Sequence, residues 1–253
     1  VTNPASPGGF DPSHFDRLFE LEAASFWFRG RSDLINWALD RYFPAAGSFL
    51  ELGCGNGYVL NRVRQLHPDW RLVGTELFEE GLVNARRRMP AGVELRQMDA
   101  TRIPYDAEFD VVGAFDVIEH IEEKPAVLAG MYQATKPGGG LMITVPQHKW
   151  MWSHADVAVH HVNRYTRREL RDEISAAGFT VVRVASFVSL LLPAMMASRM
   201  MKKDAGNVED ELDMAAPINR ACYSVMQLEG ALIRVGLNFP AGGSLLAVAK
   251  RPS

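Results

Sequence analysis

Cysteine is scarce in this 253-residue chain: Cys54 and Cys222 are the only two, far apart in sequence. They imply no disulfide framework, and a reducing, cytoplasmic setting is the expectation. A basic excess is missing too, with 27 Lys and Arg against 30 Asp and Glu and a net charge of −3. Such a chain has no field with which to displace counterions from a phosphate backbone, which disfavours a nucleic-acid partner. No apolar run approaches the roughly 20 residues of a spanning helix. Nor does the start of the sequence show the basic-then-apolar pattern of a secretory leader. What is left, 47% apolar and 23% charged, suits one globular α/β domain with an addition.

Glycine, by contrast, is concentrated where it can act. Phe49-Leu50-Glu51-Leu52 runs into Gly53-Cys54-Gly55-Asn56-Gly57, and helical spacing resumes at Tyr58. This reads as a buried parallel strand, a tight turn and a helix start, the first βα unit of an open sheet. Glycine belongs where the backbone needs positive φ or must approach a ligand closely. In such sheets the ligand lies at the carboxyl ends of the strands. A dinucleotide fingerprint, G-x-G-x-x-G, would put its third glycine at 58, where Tyr58 stands.

Further units follow in order. Arg71–Thr75 predicts a second strand ending at Glu76, about 20 residues past the loop, where an acid can accept from both ribose hydroxyls. Val93–Met98 predicts a third, closed by Asp99. A fourth, Phe109–Ala114, continues into Phe115-Asp116-Val117-Ile118-Glu119-His120-Ile121. Lys136–Gly140 predicts a helix stop and turn, and Leu141–Pro146 a fifth strand. Phe179–Val184 and Ser244–Lys250 predict the sixth and seventh.

The G-x-G-x-G loop with an acid two residues before it, the acids at successive strand tips and the Glu-His run after strand four resemble the class I S-adenosylmethionine-dependent methyltransferases, small-molecule (ubiquinone-biosynthesis-like) branch. The resemblance implies a Rossmann-like α/β three-layer sandwich with a seven-stranded, mostly parallel sheet. Its order would be 3-2-1-4-5-7-6, with the last strand antiparallel. It implies S-adenosyl-L-methionine as donor and S-adenosyl-L-homocysteine as product. Glu76 would hold the ribose and Asp99 the adenine, with Gly53, Gly55 and Gly57 beside the methionine. Glu51, Cys54, Leu77, Ala100 and Phe115 would line the same cleft, and Arg31 would reach the methionine carboxylate. The Pro-Pro-aromatic sequence common in enzymes methylating base nitrogens is absent after strand four.

Residues 1–43 are expected to form a mobile lead and a helical cover, and 44–253 the methyltransferase domain. Between strands six and seven, 188–243 is an insertion long enough for two helices, at about Leu190–Lys203 and Leu212–Val235, read as a lid or cap. Its methionine-rich 186–203 stretch is read as core or lid packing in preference to contact with a membrane surface. Histidines crowd the rim after strand five: His148, His154, His160 and His161, around Asp156. His161 is the candidate base, with His120 second; Asp156, His160, Arg164 and Tyr165 are candidates for holding a small-molecule acceptor. A metal set of His154, Asp156, His160 and His161 matches no standard zinc or facial-triad spacing, so no resident metal is expected. Thr166 with Glu169 predicts a helix capping box. The activity expected is methyl transfer to a small molecule, at oxygen. Its rivals are a non-catalytic donor-binding protein and an enzyme acting on a lipid-linked acceptor.

Overall fold

The sheet sets the position of everything else. In this computed structural model, which describes residues 14–90, 92–201 and 214–253, two helices come first, α1 (Phe15–Glu22) and α2 (Phe26–Tyr42). The units β1 (Ser48–Leu52), α3 (Tyr58–Leu66), β2 (Arg71–Glu76), α4 (Glu79–Arg88), β3 (Glu94–Gln97) and β4 (Phe109–Phe115) follow. A 3-10 turn at Ile118–His120 leads to α5 (Lys124–Ala134) and β5 (Thr135–Pro146). Beyond them lie α6 (His154–Ala158), α7 (Arg167–Ala176), β6 (Thr180–Phe187), α8 (Leu192–Met201), α9 (Ala216–Arg234) and β7 (Ser244–Lys250).

The seven strands are ordered 3-2-1-4-5-7-6. β1 through β5 pair in parallel, and β7 runs antiparallel to both neighbours, with Ala247 opposite Ile143 and Val184. Central strands covered on both faces must be apolar on both, and all five residues of β1 are buried. Alternate residues divide between two cores. Leu50, Leu52, Val112 and Ile143 pack with α5 and α7, while Phe49, Val111, Met142 and Val248 pack with α2, α3 and α9. This is the fold the sequence predicts.

One detail differs from the sequence pattern. Lys136–Gly140 is not a free turn; it is absorbed into β5, whose register jumps from Thr135 opposite Phe109 to Gly140 opposite Val111. Lys136 Nζ holds the bulge by donating to Asp110 Oδ1 at 2.9 Å, and Gly138 takes φ +77°. In the insertion, α9 lies along α2. Asn219 accepts from Phe26 N at 2.7 Å and donates to Ala24 O at 2.6 Å, while Tyr223 donates to Asp33 at 2.7 Å. The insertion thus buttresses the helix that carries Arg31. Lys202, Lys203 and the polar 204–210 linker lie outside the described residues, as does the 1–12 lead. Among the described residues no helix is long and apolar enough to cross a membrane.

Candidate active site

All three glycines of the loop after β1 have left-handed backbones, Gly53 at φ +59°, Gly55 at +52° and Gly57 at +74°. A Cβ there would be strained wherever it pointed. At Gly57 it would also strike Met89 Cε at 2.4 Å, and at Gly53 Val117 Cγ2 at 2.6 Å; at Gly55 its nearest neighbour, Phe15, would be 3.8 Å away. Gly53 and Gly57 are therefore glycine partly for packing, whereas at Gly55 there is space for a Cβ, which would meet Phe15 at van der Waals distance. Cys54 closes the loop, its N–H donating to Thr75 O at 2.8 Å and its buried thiol facing Gly74.

Glu76 stands at the tip of β2 beside Gly55. Its Oε2 accepts from Gly55 N at 3.0 Å, and its Oε1 from Leu77 N at 2.8 Å and Phe78 N at 3.2 Å. Burial pushes its carboxyl above the usual range while those three N–H groups pull it back. Glu51, on β1 behind the loop, is fully buried with Oε2 unpartnered. Burial raises its carboxyl to about 8, against the pull of Arg31 and with the push of Glu22 and Glu76. At the tip of β3, exposed Asp99 accepts from Thr101 N and Oγ1, both at 2.8 Å, so it forms the turn. Ala100 follows it, half-buried. Phe115 turns inward and stacks on Phe49, with ring centroids 6.4 Å apart, so it supports the cleft from the core.

The first helix covers this cleft. Phe15 packs over Gly55 and Gly81, its carbonyl accepts from Asn56 Nδ2 at 3.0 Å, and Glu22 pairs with Arg88. Arg31 comes from α2 with its guanidinium over the rings of Trp27 and Phe28. It is ion-paired with Asp116, which has φ +57° at the end of β4 and also accepts from Thr144 Oγ1 at 3.0 Å. Arg31 thus neutralises the strand-four acid here, with its charge also felt at Glu22, Glu51 and Glu119.

On the other side lies the rim after β5. Asp156 is buried, and its Oδ1 accepts from His161 Nδ1 at 2.8 Å and Arg164 Nε at 2.7 Å. Its Oδ2 accepts from Ser153 N at 2.8 Å and Oγ at 3.1 Å. Burial works against the charge, but His161 and Arg164 overcome it and hold the carboxyl well below its ordinary range. Arg164 also donates to Gln147 O at 3.0 Å. His161 Nε2, the nitrogen turned away from Asp156, lies 4.0 Å from Glu119 Oε1. The His120 ring meets the His161 ring edge-to-face at 4.7 Å, and burial with the neighbouring His161 lowers its pKa to about 3. Glu119 is fully buried and its carboxyl is pushed far up by burial and by Asp116.

The remaining rim candidates separate. His160 is exposed with φ +58°, and His154 is exposed at the start of α6. Tyr165 is fully buried, bridged through the backbone to Gln147 and covered by Lys124, so it supports the rim from below and does not face an acceptor. His154, Asp156, His160 and His161 therefore do not converge as a metal set, because Asp156 stands behind His161.

A family model described as "Methyltransferase domain" matches residues 23–184. The chain belongs to the class I S-adenosylmethionine-dependent methyltransferases. A Mycolicibacterium smegmatis protein named a probable S-adenosylmethionine-dependent methyltransferase is 27% identical over 164 residues, 64% of this chain and 62% of that protein. The trans-aconitate 2-methyltransferase of Variovorax paradoxus is 31% identical over 107 residues, 42% of this chain and 41% of that enzyme. The ubiquinone biosynthesis O-methyltransferase of Pseudomonas aeruginosa is 27% identical over 140 residues, 50% of this chain and 60% of that one. The matched stretches thus span about two fifths to three fifths of these relatives. Among solved structures, a chain from the complex of the Haloferax volcanii Trm112 methyltransferase activator with a methyltransferase superposes with a TM-score of 0.63 at 18% identity, over 96% of this chain and 94% of that one. Haemonchus contortus phosphoethanolamine N-methyltransferase 2, solved with S-adenosyl-L-methionine, gives 0.58 at 17%, over 86% and 52%.

The residues at the strand ends are of the types that the family's donor requires. The unobstructed backbone of Gly55, the carboxylate of Glu76 at the next strand tip and the orphaned Oε2 of buried Glu51 offer a close backbone approach, hydroxyl acceptors and an oxygen that can accept from an ammonium. The family match begins at residue 23 and so takes in α2. Sequence reading passed over two site residues of this methyltransferase. Asp116 and Glu119 appear in it only as members of the strand-four motif. A signal was present, two acids flanking an apolar pair beside a histidine, but burial is what gives them consequence.

Proposed function

We propose that this methyltransferase moves the methyl group of S-adenosyl-L-methionine to a hydroxyl of a small-molecule acceptor, with His161 taking the hydroxyl proton. When bound, the donor supplies a methyl carbon on a positively charged sulfur. Glu76 would accept from the ribose hydroxyls, Asp99 from the adenine amine, and Glu51 would face the methionine ammonium. Holding an acceptor in line with the carbon contributes about 7–11 kcal/mol toward the barrier.

The observation that carries the reading is the 2.8 Å contact between His161 Nδ1 and Asp156. A carboxylate held ionised by Arg164 and Ser153 fixes the proton on Nδ1 and turns the Nε2 lone pair toward the rim. Asp156 positions and His161 accepts. His120, with a pKa near 3, stays neutral and shapes the acceptor side. The trans-aconitate and ubiquinone-biosynthesis relatives are named for small-molecule acceptors, and the acidic balance of the chain supports the same class.

Replacing His161 with Ala is the test, read as S-adenosyl-L-homocysteine formation over a panel of phenols, catechols and carboxylates. A base contributes about 10²–10⁴ in rate, so turnover should fall by that factor while product affinity stays nearly intact. Full turnover in His161→Ala, or activity confined to carboxylates, overturns the assignment. A lipid-linked acceptor is the second reading, favoured by Leu190, Ile218, Leu228, Val235 and Leu237, all exposed on or beside the insertion. Liposome co-sedimentation at low salt separates the two.

A further inference from the structure

Between α2, α3 and α9 lies a polar cavity that neither the donor cleft nor the rim uses. Its volume is about 310 Å³, at the lower end of small-molecule sites. Arg29 and Asp33 border it from α2, Asn61, Arg62 and Gln65 from α3, and Tyr223 from α9. The α3 residues recur at helical spacing and make one polar stripe along that helix. Helices that only pack against each other meet through apolar stripes. Here polar stripes face each other across open space.

Positive charge is left over in this cavity. Asp33 follows Arg29 by four residues, the spacing at which an acid and a base pair on a helix. Among the described residues, however, neither Arg29 nor Arg62 forms an ion pair. Asp33 is turned to α9 instead, where its Oδ2 accepts from Tyr223 Oη at 2.7 Å and from Gln227 Nε2 at 2.5 Å. Half-buried Arg29 lies over Tyr223, 3.7 Å from the ring centroid. Stacking fixes the plane of a guanidinium and leaves its N–H edges free to donate within that plane. Arg62 donates to the neutral amide of Gln65 at 3.3 Å. A half-buried cation without a counter-charge is costly, and two guanidiniums border this space against one carboxylate that already accepts twice.

We propose that the cavity binds a small organic phosphate, with Arg29 and Arg62 holding the phosphate group. An arginine fork matches a pair of phosphate oxygens, and a dianion calls for two cations where a carboxylate calls for one. The neutral part of the wall is left for the organic portion: the half-buried ring of Tyr58 for a planar or apolar group, and the amides of Asn61 and Gln65 for hydroxyls. None of the residues assigned above to donor or acceptor borders this cavity, so the inference stands whether or not His161 is the base. The two regions meet at one point, because Tyr58 opens α3 directly after Gly57.

The experiment titrates the full chain with phenyl phosphate by calorimetry, at low ionic strength so that the charges are not screened. Inorganic phosphate and phenol serve as comparisons, and the series is repeated with S-adenosyl-L-homocysteine at saturation. One equivalent of phenyl phosphate should bind, more tightly than inorganic phosphate or phenol, and with the same affinity when product is present. Arg29→Gln and Arg62→Gln should each weaken it by at least about tenfold. Arg168→Gln, at a side chain 92% exposed on α7, should leave it unchanged. Thermal melts identify a variant that fails to fold, and Arg62, being exposed, keeps the test available if Arg29→Gln does. No saturable binding, equal affinity for inorganic phosphate or phenol, displacement by product, or parent-like affinity in both arginine variants overturns the proposal. Product that fails to bind while phenyl phosphate binding depends on both arginines counts against the donor assignment alone.

Discussion

Glu76→Gln is the sharpest test of the donor cleft, because the structure shows what the carboxylate already carries. A carboxylate offers about four lone-pair positions; Gly55, Leu77 and Phe78 N–H groups take three, two of them on Oε1. Oε2 can accept one ribose hydroxyl directly, and a second hydroxyl must displace a backbone N–H. The net gain on binding is therefore between one and two charge-assisted hydrogen bonds, each about 1.5–3 kcal/mol. The amide keeps the shape but loses the charge and turns one position into a donor. Roughly 3 kcal/mol should be lost, on the order of 10²-fold in Kd. Titration calorimetry with S-adenosyl-L-homocysteine measures it directly. The melting temperature should fall modestly, since the amide NH2 must face at least one of the backbone N–H groups from which the carboxylate accepted. An affinity within about threefold of the parent, in a protein that melts normally, would refute the ribose assignment and with it the placement of the donor.

Glu51 supplies a pH signature. Its pKa rises on folding from 4.5 to about 8, so between those values the folded chain holds a proton that the unfolded chain has lost. Stability should fall as pH rises through that window, by at most about 1.4 kcal/mol per unit, and level off above it. Urea denaturation of Glu51→Gln, which lacks this component, should show a shallower slope, and parallel curves would refute the shift. The glycines should divide by role: Gly57→Ala adds a 2.4 Å clash to backbone strain of about 1–2 kcal/mol, whereas Gly55→Ala has room. Gly57→Ala should therefore be the less stable in denaturant, and Gly55→Ala the one that weakens product binding without unfolding. Asp156→Asn breaks a buried pair with His161 and Arg164, and should cost about 3–5 kcal/mol in chemical denaturation. A smaller loss than about 1 kcal/mol would mean that the pair is solvated.

The strands were legible because each central one is an apolar run bounded by glycine, proline or an acid, their order was legible only through the family resemblance, and the one irregular connection, 188–243, announces itself by length. Gly53, Gly55 and Gly57 were legible for a stronger reason: spacing by single residues is what three consecutive left-handed turns demand, and all three have positive φ. Partners distant in sequence were not legible. Arg31 could be marked as unusual, but Asp116, 85 residues later, had no visible tie to it. Tyr165 shows the limit of local pattern: its run of polar neighbours suggests a surface, yet the bridge to Gln147 turns the ring into the core. Asp156 and His161 were chosen by type, but that they touch while His160 points to solvent follows from the left-handed backbone at His160. Glu119 was hidden because burial belongs to the fold and not to the residue.

The clasp of α1 has a kinetic meaning. Phe15 lies across Gly55 and beside Glu76, and its helix is tied down by Asn56, by Asn84 donating to Asp16 at 2.9 Å and by the Glu22–Arg88 pair. Every one of those anchors belongs to the loop or helices around the cleft, so a product held there as proposed would depart only after the first helix lets go. Loosening an anchor would hasten arrival and departure together and leave the equilibrium between them almost untouched, making the pace of exchange a property of a helix that never touches the transferred carbon.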